Sequence, residues 1–253
     1  MTRRFEGRVV VITGAGGGLG RAFARGFAQE GASLVLTDVD EALLGETADG
    51  VRSLGAAVSA HILDLADEPA IKAFGARVCD EHPHVHVLIN NAGLAYGEIS
   101  YAFAELSMEK WLRYFAINAV APLILGQALR PALARTKGVI INQSSMASYA
   151  PGTAYGVTKA TLNSMTYGMA SAFAADGIRV NAIAPGLMET PASKASLTDE
   201  QKGRVAGMQL LNLHGAAEDI ANLGLFLASD DARFIDCEIV HCDAGNRLRG
   251  WRG

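Results

Sequence analysis

Val9-Val10-Val11-Ile12-Thr13-Gly14-Ala15-Gly16-Gly17-Gly18-Leu19-Gly20 is the stretch whose reading decides the fold. Its first four residues are all β-branched, a short apolar run of the kind that suits a strand covered on both faces. The glycines that follow let the chain turn where a Cβ would clash with the turn itself or with an approaching phosphate. A helical pattern over 19–30 comes next, so the turn ends on free backbone N–H groups and the positive end of a helix dipole. Strand, glycine turn and helix in this order predict a cradle for the pyrophosphate of a dinucleotide.

Asp38 strengthens that reading. It closes the second apolar run, Leu34-Val35-Leu36, at 18 positions beyond Gly20. A carboxylate there accepts hydrogen bonds from the adenosine ribose hydroxyls and repels a 2′-phosphate. No arginine replaces it or sits beside Gly17, which favours NAD over NADP. Capping of the helix that starts at Glu41, by Asp38 or by Asp40, is the structural alternative.

Working outward, the same alternation recurs along the chain. Val85-His86-Val87-Leu88-Ile89, Val139-Ile140-Ile141, Arg179-Val180-Asn181-Ala182-Ile183 and Ile239-Val240-His241 read as strands, with a weaker one over 57–63. Helical patterns cover 41–54, 68–79 and 111–134. The expected architecture is a doubly wound Rossmann fold, an α/β domain with an approximately seven-stranded parallel sheet and helices on both faces. Residues 1–253 are expected to form a single dinucleotide-binding and catalytic domain. Only 187–209 breaks the rhythm; polar and without a strand partner, it reads as an inserted substrate lid.

Composition narrows the classes. Half of the 253 residues are hydrophobic and 19% are charged, which excludes a disordered chain. A net charge of -4 gives no electrostatic basis for a nucleic-acid partner, and Arg247, Arg249 and Arg252 read as a solvated tail. Cys79, Cys237 and Cys242 cannot all pair internally and lack metal-type spacing. With no h-region after Met1 and no uninterrupted apolar stretch of about 18 residues, a cytoplasmic protein without a membrane span is expected.

Taken with the motifs further along, the chain resembles the short-chain dehydrogenase/reductase family over nearly its full length. Residues 13–20 match the family's TGxxxGxG turn, and Asp64-Leu65 its acidic pair after the third strand. Asn90-Asn91-Ala92-Gly93 is its NNAG element; Ser145, Tyr155 and Lys159 match its serine and YxxxK motif; Asn118 falls where it has a helical asparagine. Pro185-Gly186 with Thr190 matches the segment that covers the nicotinamide. The resemblance implies a catalytic set of Asn118, Ser145, Tyr155 and Lys159. It implies NAD contacts from Gly14, Gly18, Leu19, Gly20, Asp38, Asp64, Leu65, Asn91, Ala92, Gly93, Tyr155, Lys159, Pro185, Gly186 and Thr190. The activity implied is interconversion of a secondary alcohol and its ketone by hydride transfer. The alternatives are a 3-oxoacyl-thioester reductase and a non-catalytic NAD-binding regulator. A homo-oligomer, tetramer or dimer, is the expected assembly.

Tyr155 and Lys159 are four apart, so on a helix they share a face. The ammonium, helped by an oxidised nicotinamide, is expected to depress the phenol pKa so that Tyr155 serves as general acid/base. Ser145 would hold the substrate oxygen, and Asn118 would fix a water relaying protons from Lys159. Asn118 bridging backbone groups remains an alternative, as does a purely structural use of Asn90 and Asn91. The segment from Ser145 to Tyr155 is shorter than in many relatives, which leaves Ser144 as the competitor of Ser145 for the cleft. His82, His84 and His86 alternate in sequence, yet without nearby acids on the same face no metal site is expected. Trp111, Tyr114 and Phe115 form a helical stripe better suited to core or subunit contact.

Overall fold

The chain's computed structural model describes residues 3–246, and Arg247, Arg249 and Arg252 lie outside the described residues. Its first half runs β1 (Val9–Thr13), α1 (Gly18–Gln29), β2 (Ser33–Asp38), α2 (Glu41–Arg52), β3 (Val58–Ile62), α3 (Glu68–Glu81), β4 (Val87–Asn90) and α4 (Met108–Phe115). The second half comprises α5 (Ala121–Thr136), β5 (Val139–Gln143), α6 (Ala154–Phe173), β6 (Arg179–Pro185), β7 (Met188–Glu189), α7 (Pro191–Ser196), α8 (Asp199–Ala206), β8 (Gly215–Ala216), α9 (Ala217–Ala228) and β9 (Ile239–Cys242). Seven strands build one parallel sheet in the order β3-β2-β1-β4-β5-β6-β9, the doubly wound arrangement expected.

The sheet is apolar on both faces because helices cover both. On one face Ile12, Ile89, Ile141 and Ile183 meet Phe23, Phe27 and Ile220 from α1 and α9. On the other, Val11, Leu88, Ile140 and Val180 meet Phe74, Leu125, Leu129 and Phe173 from α3, α5 and α6. Each large side chain buried in this way contributes roughly 1.5–3 kcal/mol relative to exposure. The chain runs outward from β1 to β3 and then returns to β4 on the other side of β1. That reversal opens a crevice at the carboxyl ends of β1 and β4, where an open α/β sheet binds its ligands.

Three sequence expectations change. The segment 187–209 does have a strand partner: Met188–Glu189 pairs in parallel with Gly215–Ala216, and α7 and α8 lie between them. Two-residue strands are too short to leave a periodic signal. The single helix expected over 111–134 begins earlier, where Ser107 accepts a hydrogen bond from Lys110 N, and is interrupted by a π-helical stretch, Ala116–Val120. Pro122, which has no N–H to donate, opens the helix that resumes after it. The third is β4, which begins at Val87, two residues later than expected; His86 before it donates its N–H to Val9 O and accepts from Val9 N at Nδ1.

The continuous run Met108–Thr136 is long and apolar enough to cross a membrane by length and composition alone. Leu125, Leu129 and Leu133 in it are fully buried against the sheet, so it serves as a core helix here.

Candidate functional site

Residues 13–20 turn between β1 and α1 at the crevice, under tight constraint. Gly14 has φ +63°, and a Cβ on it would stand 2.7 Å from Ala92 Cα. A Cβ on Gly20 would lie 2.0 Å from Gly14 O, and one on Gly18 would lie 2.9 Å from Thr190 Cβ. The glycine turn is therefore pressed between the end of β4 and the segment after β6. The preceding side chain caps each of α2, α3 and α4, but α1 starts at Gly17-Gly18 with no side-chain cap and no acid in its first turn. A helix N-terminus left open in this way fits a phosphate, which supplies the acceptor that a cap would otherwise provide.

Asp38 ends β2 beside this turn. Its carboxylate accepts from Gly16 N at 2.9 Å and from Asp40 N at 3.0 Å. Asp40, not Asp38, caps α2, accepting from Leu43 N. The capping alternative therefore belongs to the neighbour, and the end of β2 carries an acid with no helix to serve. Asp64 is exposed beyond β3, where its Oδ1 accepts from Ala66 N, and Leu65 packs against the core. These two lie toward the far edge of the sheet, away from the tyrosine.

The element after β4 is held to the glycine turn by its own polar groups. Asn91 Nδ2 donates to Thr13 O and Gly14 O, and Thr13 Oγ1 accepts from the N–H groups of Asn91 and Ala92. Asn90 Nδ2 donates to Asn142 Oδ1 and Pro122 O, binding β4 to β5 and α5. A structural role for both asparagines is thus visible. Asn118, in the π-helical stretch, is completely buried. Its Oδ1 accepts from Leu94 N, and its Nδ2 donates to Leu94 O and to Thr158 Oγ1. A Cβ on Gly93 would meet Asn118 Oδ1 at 3.2 Å and Lys159 Nζ at 3.3 Å, so these two side chains flank the same glycine.

Beyond β5 the two serines separate. Ser144 N continues the ladder to Ile183 O, and the buried Ser144 hydroxyl donates to Asn163 Oδ1 at 2.5 Å. Asn163 Nδ2 in turn donates to Ser148 Oγ, and Ser148 Oγ donates to Ser145 O. Ser145, by contrast, lies beside the Tyr155 phenol, and its Oγ accepts from Ala147 N. Although the connecting loop is short, it is Ser145 and not the buried Ser144 that neighbours the tyrosine.

Thr153 caps α6 by accepting from Gly156 N, which brings Tyr155 and Lys159 into the first turns at the open end of the sheet. Lys159 is 3% exposed; its Nζ donates to Gln143 O at 2.6 Å and lies 5.8 Å from the Tyr155 ring centroid. Burial pushes Lys159 down to about 8 and Tyr155 up to about 12. The depressed phenol pKa expected from the lysine's proximity is therefore not what these residues produce by themselves. Desolvation is the largest cause and outweighs the neighbouring Ser145, which lowers the phenol pKa.

Pro185-Gly186 closes the site from β6. Gly186 N donates to Cys242 O, and a Cβ on Gly186 would lie 2.8 Å from Asp243 Cα. Thr190 caps α7 while touching Gly18, and the Tyr96 phenol lies beside Thr190 and Ser193. Thr13, Gln143, Asn163 and Ser193 were not singled out from the sequence. Their only signal is a polar residue at the end of an apolar run or inside a helix. Among the described residues no three His, Cys, Asp or Glu side chains come together as metal ligands, and His86 is engaged with β1.

Comparisons with known proteins agree with this fold. The family profile described as Enoyl-(Acyl carrier protein) reductase matches residues 14–247. Cis-4-hydroxycyclohexanecarboxylate dehydrogenase of Sinomonas cyclohexanicum is 34% identical, over 97% of this chain and 98% of that protein. The 3-oxoacyl-[acyl-carrier-protein] reductase FabG of Thermotoga maritima is 31% identical, over 96% of this chain and 98% of its own length. Among solved structures, a 7 alpha-hydroxysteroid dehydrogenase complexed with NADH and 7-oxo glycochenodeoxycholic acid superposes with a TM-score of 0.90 at 29% identity, covering 97% of this chain and 96% of that one.

Proposed function

The chain belongs to the short-chain dehydrogenase/reductase family, and from that premise we propose that it interconverts a secondary alcohol and its ketone with NAD(H) as cofactor. The observation that carries the proposal is the juxtaposition of Ser145, the Tyr155 phenol and the buried Lys159, whose Nζ lies 5.8 Å from the tyrosine ring centroid, at the crevice faced by the glycine turn. The uncapped start of α1 would hold the pyrophosphate, Asp38 the adenosine ribose, and Asp64 and Leu65 the adenine edge. Asn91, Ala92, Gly93, Pro185, Gly186 and Thr190 would border the nicotinamide half. When bound, the nicotinamide supplies the hydride donor or acceptor and, in its oxidised form, a positive charge.

The chain's own residues handle the proton. In the oxidising direction Tyr155 takes the hydroxyl proton of the alcohol at its phenol oxygen; in the reducing direction it returns it. Ser145 donates to the substrate oxygen and steadies its developing charge. Lys159 places a positive charge beside the phenol, fixed in position by Gln143 O. Asn118 acts by positioning. It clamps Leu94 to α6 through Thr158 and flanks Gly93 opposite Lys159, where the relay water would be held.

Tyr155→Phe tests the assignment, since it removes only the ionisable oxygen. Turnover of a panel of secondary alcohols, sugars, hydroxysteroids and 3-hydroxyacyl substrates, followed by NADH absorbance, should fall by roughly 10²–10⁴-fold. The melting temperature and NADH affinity should stay unchanged; near-normal turnover refutes the role. The Thermotoga maritima relative favours a second reading, reduction of a 3-oxoacyl thioester. Asp38 counts against the NADPH such a reaction usually draws on, and initial rates with NAD(H) and NADP(H) separate the two. Turnover on any alcohol excludes a purely regulatory NAD-binding protein.

Three further features belong to the same proposal. The segment 187–209, tied to Tyr96 through Thr190 and Ser193, serves as the substrate lid. Exposed Met108, Leu112 and Tyr167 support a homo-oligomer, tetramer or dimer, which sedimentation would resolve. Three unpaired cysteines suit the reducing cytoplasm.

A further inference from the structure

Gln143 is the last residue of β5, 5% exposed, and both polar atoms of its carboxamide are buried without a hydrogen-bond partner. Buried carboxamides are normally satisfied, and a side chain left with neither its donor nor its acceptor engaged calls for a specific explanation. The sheet register supplies one. Gln143 pairs with Ile183, and Ile141, two residues earlier on the same face, pairs with Asn181 on β6 and stands level with Ile89, itself level with Ile12. Side chains two apart on a strand share a face, so Gln143 stands on the α1 and α9 face, one step above that isoleucine row. At this height the neighbouring strands present Asn91 and Gly14, which are joined there by the bond from Asn91 Nδ2 to Gly14 O. Gln143 therefore extends the row Gly14–Asn91 toward Pro185-Gly186, along the line on which the proposed dinucleotide runs from its phosphates to its nicotinamide.

We propose that Gln143 is a cofactor-positioning residue, its carboxamide making its hydrogen bonds to the nicotinamide nucleoside half of the bound dinucleotide. The inference rests on the dinucleotide-site reading above and adds to it a residue that neither the glycine turn nor the catalytic set contains. It also links the two halves of the site. The main-chain oxygen of Gln143 accepts from the Lys159 ammonium, while its side chain stands on the α1 and α9 face of the sheet, where the proposal sets the nicotinamide half. Binding of the nicotinamide half and placement of the catalytic lysine thus meet in one residue.

Gln143→Met keeps the length of the side chain and removes both hydrogen-bonding groups, leaving the main-chain oxygen in place. Affinities for NADH and for ADP-ribose, which lacks the nicotinamide, are measured by calorimetry on the wild-type chain and the variant. The proposal expects NADH to bind about tenfold more weakly or worse to the variant, with ADP-ribose within about twofold of the wild type. It also expects the cofactor-free variant to melt roughly 2–4 °C higher, because an unsatisfied buried amide has been removed. Gln143→Leu provides the same comparison should the methionine variant fold poorly. Unchanged NADH affinity, as expected if buried water satisfies the carboxamide, overturns the proposal. So does an equal loss for both ligands, which marks general damage to the groove. A wild-type chain that binds neither ligand overturns the dinucleotide site itself, and this inference with it.

Discussion

Replacing Lys159 by Met keeps the length of the side chain and deletes its charge, with consequences that can be worked out from position. Nζ lies 5.8 Å from the Tyr155 ring centroid in a setting where the lysine is 3% exposed. At about 6 Å and an effective dielectric near 20, a full positive charge favours the phenolate by roughly 3 kcal/mol, about 2 pKa units. Burial already pushes Tyr155 up to about 12, and the variant loses the cation beside it. In alcohol oxidation the rising limb of log kcat/KM against pH should move up by at most about 2 units, with rates near pH 7, where the lysine is mostly charged, falling by up to about 100-fold and recovering in more alkaline buffer. The same burial pushes Lys159 down to about 8 from its ordinary 10.5, so the unfolded chain binds more protons than the folded one between those values. Stability therefore rises with pH across that window, and the cost of the buried ammonium is fully present below it. That cost is roughly 3 kcal/mol. Removing the lysine relieves it but leaves Gln143 O without its donor, a loss of about 1–2 kcal/mol. Cofactor-free Lys159→Met should therefore melt a few degrees higher than the wild type at pH 7 and no higher above pH 10.5. A uniformly lower rate with an unmoved pH profile would refute the electrostatic role, and a lower melting temperature at pH 7 would refute the burial reasoning.

Asp38→Ala removes the carboxylate that would face a 2′-phosphate, so the ratio of kcat/KM for NADP(H) over NAD(H) should rise at least about tenfold; an unchanged ratio in initial-rate assays places cofactor choice elsewhere. Gly20→Ala puts a Cβ 2.0 Å from Gly14 O, and calorimetry should show loss of NADH binding together with a destabilisation of about 1–3 kcal/mol. Asn118→Ala strips partners from Leu94 N, Leu94 O and Thr158 Oγ1, which should cost about 2–4 kcal/mol in denaturant melts and loosen the loop beside Gly93. Full stability in that variant would return Asn118 to a purely catalytic reading.

What could be read in advance was what the chain encodes locally. Val9 to Gly20 carries its strand, turn and helix start in adjacent residues, and the β-branched runs carry the sheet, because each strand is covered on both faces and needs no partner to be recognised. The spacing of Tyr155 and Lys159 on one helical face is local in the same sense. What escaped depends on pairs of distant segments. Met188–Glu189 finds Gly215–Ala216 across two short helices, and Asp40 rather than Asp38 takes the cap of α2 only because the strand ends where it does. Gln143 reads as a polar full stop after Val139-Ile140-Ile141 until register places it beside Asn91.

The tyrosine pKa is the sharpest of these differences, because proximity in sequence suggests its sign and burial reverses it. A lysine four residues away argues for a depressed phenol, yet taking both groups out of water raises one and lowers the other. The two facts are reconciled by the medium itself. Low polarisability penalises each charge alone and, by the same factor, strengthens the attraction between opposite charges placed side by side. A phenol and an ammonium buried together thus keep the proton on the phenol until another positive charge arrives nearby. An oxidised nicotinamide in the proposed groove would bring that charge with the cofactor. The base would then be strongest when the hydride acceptor is in place and weakest when the site has nothing to oxidise.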